Sequence, residues 1–313
     1  MHAPAPVLAP APAAVLAPAR AISARRERLV AIGLMCGAFV CFSGLDASAK
    51  WLGAQGMHPL QTVWARYAVS VALVCVFINP WRVPGLLRTK RPVLQLGRSA
   101  LLLLSTALNF VALNHLRLDQ TVSIQFLAPL LVALLAWPLL GERVGPRRVA
   151  AILVGFLGIL VITRPGLEGF HPAALLSLAS AVTYAIYNVA TRLLASDDSS
   201  RTTMFYSGLV GALALTPLLP GVWTSPGTPL VWAVMLGTGL FGAVGHWLLI
   251  LAHAKAPASL LAAFIYSQII WMAGLGYLVF GDQPDGWTVV GSGIVIASGL
   301  YILHRERVRR GGG

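Results

Sequence analysis

The chain has 313 residues, of which 57% are hydrophobic and 11% charged, with a formal net charge of +13. Soluble domains carry about 25% charged residues, so a water-soluble globular domain of this length is excluded, as are a disordered chain and a disulfide scaffold. Cys36, Cys41 and Cys75 all lie in apolar runs and offer neither a disulfide framework nor metal-ligand spacing. The composition is that of an integral membrane protein. Its basic residues fall in short clusters between apolar runs, with no aromatic-interleaved basic face, so they read as topology signals and not as a nucleic-acid site.

In chain order, residues 1–28 form an Ala/Pro-rich segment whose prolines interrupt any helical period, and a disordered cytoplasmic tail is expected. A bilayer core needs roughly 20 mostly apolar residues per helix. Ten such segments can be drawn, at about 29–49, 60–78, 97–115, 121–140, 148–164, 172–194, 202–220, 229–252, 258–280 and 286–303, and 305–313 is a basic tail. A rival for the first segment is a signal peptide, with Ala47-Ser48-Ala49 as its cleavage site. The long apolar run and the flanking Asp46 and Lys50 argue against it. With ten spans and a cytoplasmic N-terminus, the inside segments collect all 23 basic residues except Lys50, Arg66, Arg117 and Arg164. Both termini are therefore expected on the cytoplasmic side.

The chain also repeats. Gly141-Glu142 ends the fourth span and Gly281-Asp282 ends the ninth, 140 residues on, each followed by a glycine-rich helix. Leu118-Asp119-Gln120-Thr121 lies opposite Ala256-Pro257-Ala258-Ser259 at a spacing of 138. Two five-helix halves, 29–164 and 171–304, follow. Five is odd, so the second half must enter the membrane inverted, a common construction of secondary transporters with the substrate site between the halves.

The same residues carry a resemblance. Gly44-Leu45-Asp46-Ala47-Ser48-Ala49-Lys50-Trp51-Leu52, Trp64-Ala65-Arg66-Tyr67, Pro129 ahead of Gly141-Glu142, and Gly155-Phe156-Leu157-Gly158-Ile159-Leu160 belong to it in the first half. Ala256-Pro257-Ala258-Ser259, Phe264-Ile265-Tyr266, Gly281-Asp282 and Ser298-Gly299-Leu300 belong to it in the second. In this order the chain resembles the EamA family of the drug/metabolite transporter superfamily, ten-helix carriers built from two inverted repeats. The ninth span departs from the pattern in having no counterpart of Pro129. The resemblance implies transport of small metabolites across the bacterial inner membrane without ATP or a bound cofactor, most often export of amino acids, aromatic ones included, and related compounds. A monomer would suffice. Related carriers import larger aromatic metabolites such as riboflavin or S-adenosylmethionine, which is the live alternative.

Residues within spans divide into candidates and packing. Asp46 is the one carboxylate well inside a span, and intramembrane ionisable groups are expensive. Ser43, Asp46 and Lys50 share a helical face, and Arg66 enters the second span at similar depth. The three charges read as a structural Asp46–Lys50–Arg66 cluster or outer gate, with proton coupling by Asp46 as the competitor. Ser177, Ser180, Tyr184, Tyr187 and Thr191 keep to one face of the sixth span, with Asn188 beside it. Ser105, Asn109 and Arg98 in the third span, and Thr121 and Gln125 in the fourth, could converge with them. Each alone could be an interhelical hydrogen bond; as a set they suit a pocket. His246 with Trp247, then Tyr266, Gln268 and Trp271, extend the pocket candidates, while His253 reads as interfacial. Gly33 and Gly37 read as intramolecular packing. Glu142 and Asp282 read as salt-bridging residues at opposite membrane faces. A membrane enzyme would need an Asp/His/Ser or metal constellation within the spans, and a channel would need repeated filter motifs; the sequence offers neither.

Overall fold

The computed structural model describes residues 13–78, 85–140, 146–164, 171–194, 197–256 and 258–311. All regular structure among them is helical, which is what a bilayer demands of an open chain, since each backbone N–H and C=O must be satisfied within its own segment. The helices are α1 (Ala13–Ala54), α2 (Pro59–Ile78), α3 (Pro92–Leu113), α4 (Leu118–Gln125), α5 (Leu127–Leu140), α6 (Pro146–Thr163), α7 (Ala173–Leu194), α8 (Ser200–Leu215), α9 (Leu219–Val222), α10 (Pro229–Lys255), α11 (Ala258–Leu261), α12 (Gln268–Phe280) and α13 (Gly286–Gly311). Among the described residues nine segments are long and apolar enough to cross a membrane, and the shorter apolar helix Val149–Thr163 brings the spans to ten. Helix α1 begins at Ala13, so helical backbone extends into the segment expected as a disordered tail.

The fourth span is broken, as α4 and α5, where a single helix was expected. The cause is local. Pro129 has no N–H to donate to the carbonyl four residues back, and its ring crowds that carbonyl. That residue is Gln125, where α4 ends. The ninth span is broken at the matching place without a proline: Ala262–Ser267 is a 3₁₀ segment between α11 and α12. There the Ser267 hydroxyl donates to the Phe264 carbonyl at 2.7 Å, competing with the helical ladder. Both halves therefore carry an interrupted helix, despite the different sequence cause.

Packing joins the halves symmetrically. Helix α1 packs most extensively on α10, and α3 on α7; α6 lies against α13, and α2 against α8. Exchanging the first and second halves maps this set of neighbours onto itself. The α6–α13 contact is backbone to backbone: a Cβ on Gly158 would meet the Gly291 carbonyl at 2.9 Å, and one on Gly291 would meet the Gly158 carbonyl at 2.7 Å. Ser298 donates to the Ala151 carbonyl along the same seam. Of the expected Gly33–Gly37 packing, Gly37 abuts Leu248 of α10, whereas Gly33 faces open space. The interior holds Phe110, Leu113, Leu118, Leu127, Leu130 and Val295, all buried. Phe77, Val93 and Leu278 are about four-fifths exposed on the outside, a pattern that fits lipid and not water.

The loops alternate between two ends. One end carries Lys50, Arg117, Arg164 and Asp282 and is called the Lys50 end. The other carries residues 85–91 and 197–201 and is called the Arg91 end.

Candidate functional site

A cavity of about 270 Å³ lies between the halves. Helix α2 contributes Arg66, Tyr67 and Ser70, and α3 contributes Arg98 and Leu102. From the second half come Tyr187 and Thr191 of α7, Ser207 and Gly208 of α8, and Gly242 and His246 of α10. The cavity reaches Asp198, Met204 and Ile250, which it shares with a hollow of about 840 Å³ at the Arg91 end, lined further by Gly85, Thr89 and Trp247. It is a passage that runs towards the Arg91 end.

Two buried guanidiniums face this space. Arg98 donates through Nε to Thr191 Oγ1 (2.7 Å), through Nη1 to Ser207 Oγ (2.7 Å) and through Nη2 to Tyr187 Oη (2.7 Å), and lies over the Tyr187 ring. Arg66 donates through Nη1 to Thr106 Oγ1 (2.7 Å) and is flanked by the rings of Tyr67 and Phe110. Thr106 is 2.9 Å from the Tyr67 hydroxyl, which donates to the Leu102 carbonyl. Tyr184 stacks on Tyr187, with ring centroids 5.5 Å apart, and is within electrostatic reach of both arginines. His246, in edge contact with Phe42, is within reach of both as well.

Beside the cavity runs a polar chain through four spans. Asn109 Nδ2 donates to Asp46 Oδ1 (3.2 Å), Gln125 Nε2 donates to Asn109 Oδ1 (3.3 Å) and to Ser180 Oγ (2.8 Å), and Ser105 and Ser180 bond each other reciprocally. Asp46, Asn109 and Gln125 thus come together, although the sequence sets Asp46 with Lys50 and Arg66 and only Asn109 and Gln125 with the sixth span. Asn188 is turned back on its own helix, donating to the Tyr184 carbonyl.

The Lys50 end is closed by contacts between the halves. Lys50 Nζ is 3.1 Å from Asp282 Oδ2, donates to the Leu116 carbonyl and lies over the Phe280 ring. Arg164, held at a positive φ of 46°, reaches Asp285 at 3.1 Å, and Arg117 reaches the same carboxylate at 3.8 Å. Arg117 also grips Asp119 through Nε (3.1 Å) and Nη2 (3.0 Å). Gln61 exchanges two 2.8 Å hydrogen bonds with the Thr224 backbone. At the Arg91 end the ties between halves include Arg91–Asp197 (2.8 Å), the bonds of Thr89 and the Lys90 N–H to Asp198, and the Tyr206 hydroxyl donating to the Leu87 carbonyl at 2.9 Å.

Several expectations need correction. Asp46, Lys50 and Arg66 do not form one cluster: Lys50 is taken by Asp282 from the other half, Asp46 by Asn109, and Arg66 by Thr106. Sharing a helical face allowed Asp46 and Lys50 to pair, but a carboxylate, a carbonyl and a ring at the helix end offer Lys50 more. Asp282 is the salt-bridging residue expected; Glu142 lies outside the described residues. Tyr266 is buried in edge contact with Phe126, its hydroxyl against Gly299, so it packs the core. Gln268 is half-buried and Trp271 two-fifths exposed, and neither is among the residues lining the cavity or the hollow described above. His253 is exposed at the end of α10, as expected. Arg98, offered by the sequence as a third-span candidate, is central to the site; Tyr67, Thr106 and Ser207 are the residues missed. Arg98 also counts among the cytoplasmic cations of the sequence, although it stands six residues inside α3.

An all-helical bundle of apolar spans, with a polar cavity shared by two related halves, defines a membrane transporter. The chain belongs to the EamA-like transporter family, whose model matches residues 29–164 and 171–303. It is 26% identical over 278 residues to an S-adenosylmethionine uptake transporter of Rickettsia bellii, covering 89% of this chain and 94% of that one. It is 28% identical over 279 residues to a riboflavin transporter of Vibrio cholerae (87% and 92% covered) and 29% identical over 268 to a pseudopaline exporter of Pseudomonas aeruginosa (85% and 93%). A solved crystal structure aligns with a TM-score of 0.59 over 92% of this chain and 98% of its own at 20% identity, which bears on the fold alone.

Proposed function

We propose that the protein is a secondary carrier of the bacterial inner membrane that exports amino acids, aromatic ones included, and related small metabolites by alternating access. The observation that carries this reading is the cavity itself. It is lined by both halves and runs to the Arg91 end, while ion pairs tie the halves across the Lys50 end. Two interrupted helices, one per half, supply the places where such halves can flex, since mid-span 3₁₀ segments often act as hinges. The basic-residue distribution supports a cytoplasmic Arg91 end, which makes this the inward-facing arrangement. The cavity is slightly smaller than the roughly 300–1,000 Å³ of drug-sized sites, which favours amino-acid-sized solutes.

Uptake of a larger aromatic metabolite is the second reading. It is favoured by the names of the Rickettsia and Vibrio relatives and by the wide hollow at the Arg91 end. Proteoliposome counterflow with a radiolabelled panel (aromatic and aliphatic amino acids, S-adenosylmethionine, riboflavin), run in both directions, tests both. Exchange of an amino acid supports the first reading. Exchange of S-adenosylmethionine or riboflavin alone supports the second, and exchange of nothing in either direction contradicts a carrier of these solutes.

A further inference from the structure

We infer that the Nε–Nη2 edge of Arg66 is the anchor for a carboxylate on the transported solute. This deepens the carrier reading and rests on it. Arg66 is 8% exposed, and its Nη1 is committed to Thr106. Among the described residues Nε and Nη2 have no hydrogen-bond partner, and no carboxylate pairs with the guanidinium. Asp46 is near enough to act on Arg66 electrostatically, but its hydrogen bond comes from Asn109.

The open edge is the one that binds carboxylates best. A guanidinium presents Nε–H and Nη2–H in parallel, matching the two oxygens of a carboxylate. This same chain shows the arrangement, since Arg117 holds Asp119 with Nε on one oxygen and Nη2 on the other. At Arg66 the neighbouring helix brings no side chain against this edge at Gly242. Gly242, on α10, faces Nε at a distance where a Cβ would stand 3.5 Å away, and both residues line the cavity. Tyr67 and Phe110 flank the guanidinium and hold it in place.

The charge balance of the cavity points the same way. Its lining holds two arginines and one carboxylate, Asp198, which sits at the Arg91 end engaged with Thr89 and the Lys90 backbone. Arg98 has its three nitrogens satisfied by neutral groups, so it adds positive potential without competing for the solute. Asp46 offsets part of the Arg66 charge from a distance, but the Nε and Nη2 donors still lack acceptors, which is costly for a buried group; a bound carboxylate supplies both.

The test uses the purified full-length protein and three probes of equal size and different charge: 3-phenylpropionate, 3-phenylpropionamide and 3-phenylpropylamine. Thermal stabilisation against concentration is read for the wild type, Arg66→Lys and Arg66→Gln. Hydrogen bonds to charged groups suggest that the carboxylate will half-saturate at roughly 10- to 100-fold lower concentration than the amide, with the amine weakest. Arg66→Lys should weaken the preference by about tenfold by losing the paired geometry, and Arg66→Gln should remove it. Equal stabilisation by carboxylate and amide, none by any carboxylate, or a preference that survives in Arg66→Gln overturns the anchor. The wild-type comparison stands even if a variant fails to fold. Counterflow of neutral or cationic solutes without regard to a carboxylate would overturn the anchor and leave the carrier standing; carboxylate binding without counterflow would do the reverse.

Discussion

The two ends of the bundle are fastened by different means. At the Lys50 end, Lys50–Asp282, Arg164–Asp285 and the Gln61–Thr224 clasp tie one half to the other through partly buried groups with several partners each. At the Arg91 end, Arg91–Asp197 involves an arginine side chain that is 56% exposed, and the cavity passes beside it. Exposed pairs are worth about 0–1 kcal/mol, and partly buried networks more. The difference shows how one fold holds a solute cavity shut on one side and open on the other using side chains alone. On the proposed alternating-access reading, the contacts at the Lys50 end are the ones that must break for turnover.

The largest effect is expected from making the closed end permanent. With Cys36, Cys41 and Cys75 replaced by serine, Lys50→Cys and Asp282→Cys bridged by a short bismaleimide should abolish counterflow, while each single cysteine treated alike keeps most of it. Bridged protein that still turns over would mean the Lys50 end need not open. Next in size is Tyr187, whose hydroxyl accepts from buried Arg98. Tyr187→Phe leaves that donor without its partner, at a cost of about 1–3 kcal/mol. Counterflow kcat/KM should fall, by at most the roughly 10- to 100-fold to which this cost converts. Tyr184→Ala removes only the stacking partner and should cost less, with both variants expressing normally.

Smaller effects separate the charges at the Lys50 end. Lys50→Met and Asp282→Asn should each lower thermal stability by about 1 kcal/mol, since the pair is only partly buried, and the double variant should lose less than the two added together. Asp46→Asn should not be rescued by Lys50→Met, because Lys50 is bound elsewhere. A flattened pH profile of counterflow in a stable Asp46→Asn protein would instead mark Asp46 as a coupling group. The smallest effect concerns Asp285. Burial opposes its charge, but the backbone N–H and side chain of Thr288, then Arg117 and Arg164, hold it below the usual aspartate range. A depressed folded pKa gives stability that is fully present above the unfolded value, near ~4, and is lost as pH falls through the lower folded value. Melting temperature should therefore not vary with pH through this group between about pH 5 and 8. Below ~4 it should fall less in Asp285→Asn than in the wild type.

Much of this was legible in the sequence because a bilayer is an exacting solvent. Span length and polarity follow from it, and the five-helix repeat follows from Gly141-Glu142 and Gly281-Asp282. The break at Gln125 was implicit in Pro129, four residues on. The break before Gln268 was not, since its cause is a serine bonding to the carbonyl three residues back. The polar faces of the third, fourth and sixth spans were expected to converge, and Asn109, Gln125 and Ser180 on them are joined by hydrogen bonds across helices. For Trp271 spacing offers little, because α12 is apolar all round and the spacing says which residues share a face but not which face is inside. It also misled at Lys50, where a residue 232 positions away outcompeted one four positions away.

Among the described residues the cavity opens towards the Arg91 end and is tied shut at the Lys50 end, and Met204, which lines both the cavity and the hollow beyond it, reports this opening. In the cysteine-free background, Met204→Cys should react with a membrane-impermeant thiol reagent in inside-out vesicles and stay protected in right-side-out vesicles. Labelling confined to right-side-out vesicles, or equal from both sides, would mean that the cavity opens at the other end or at both.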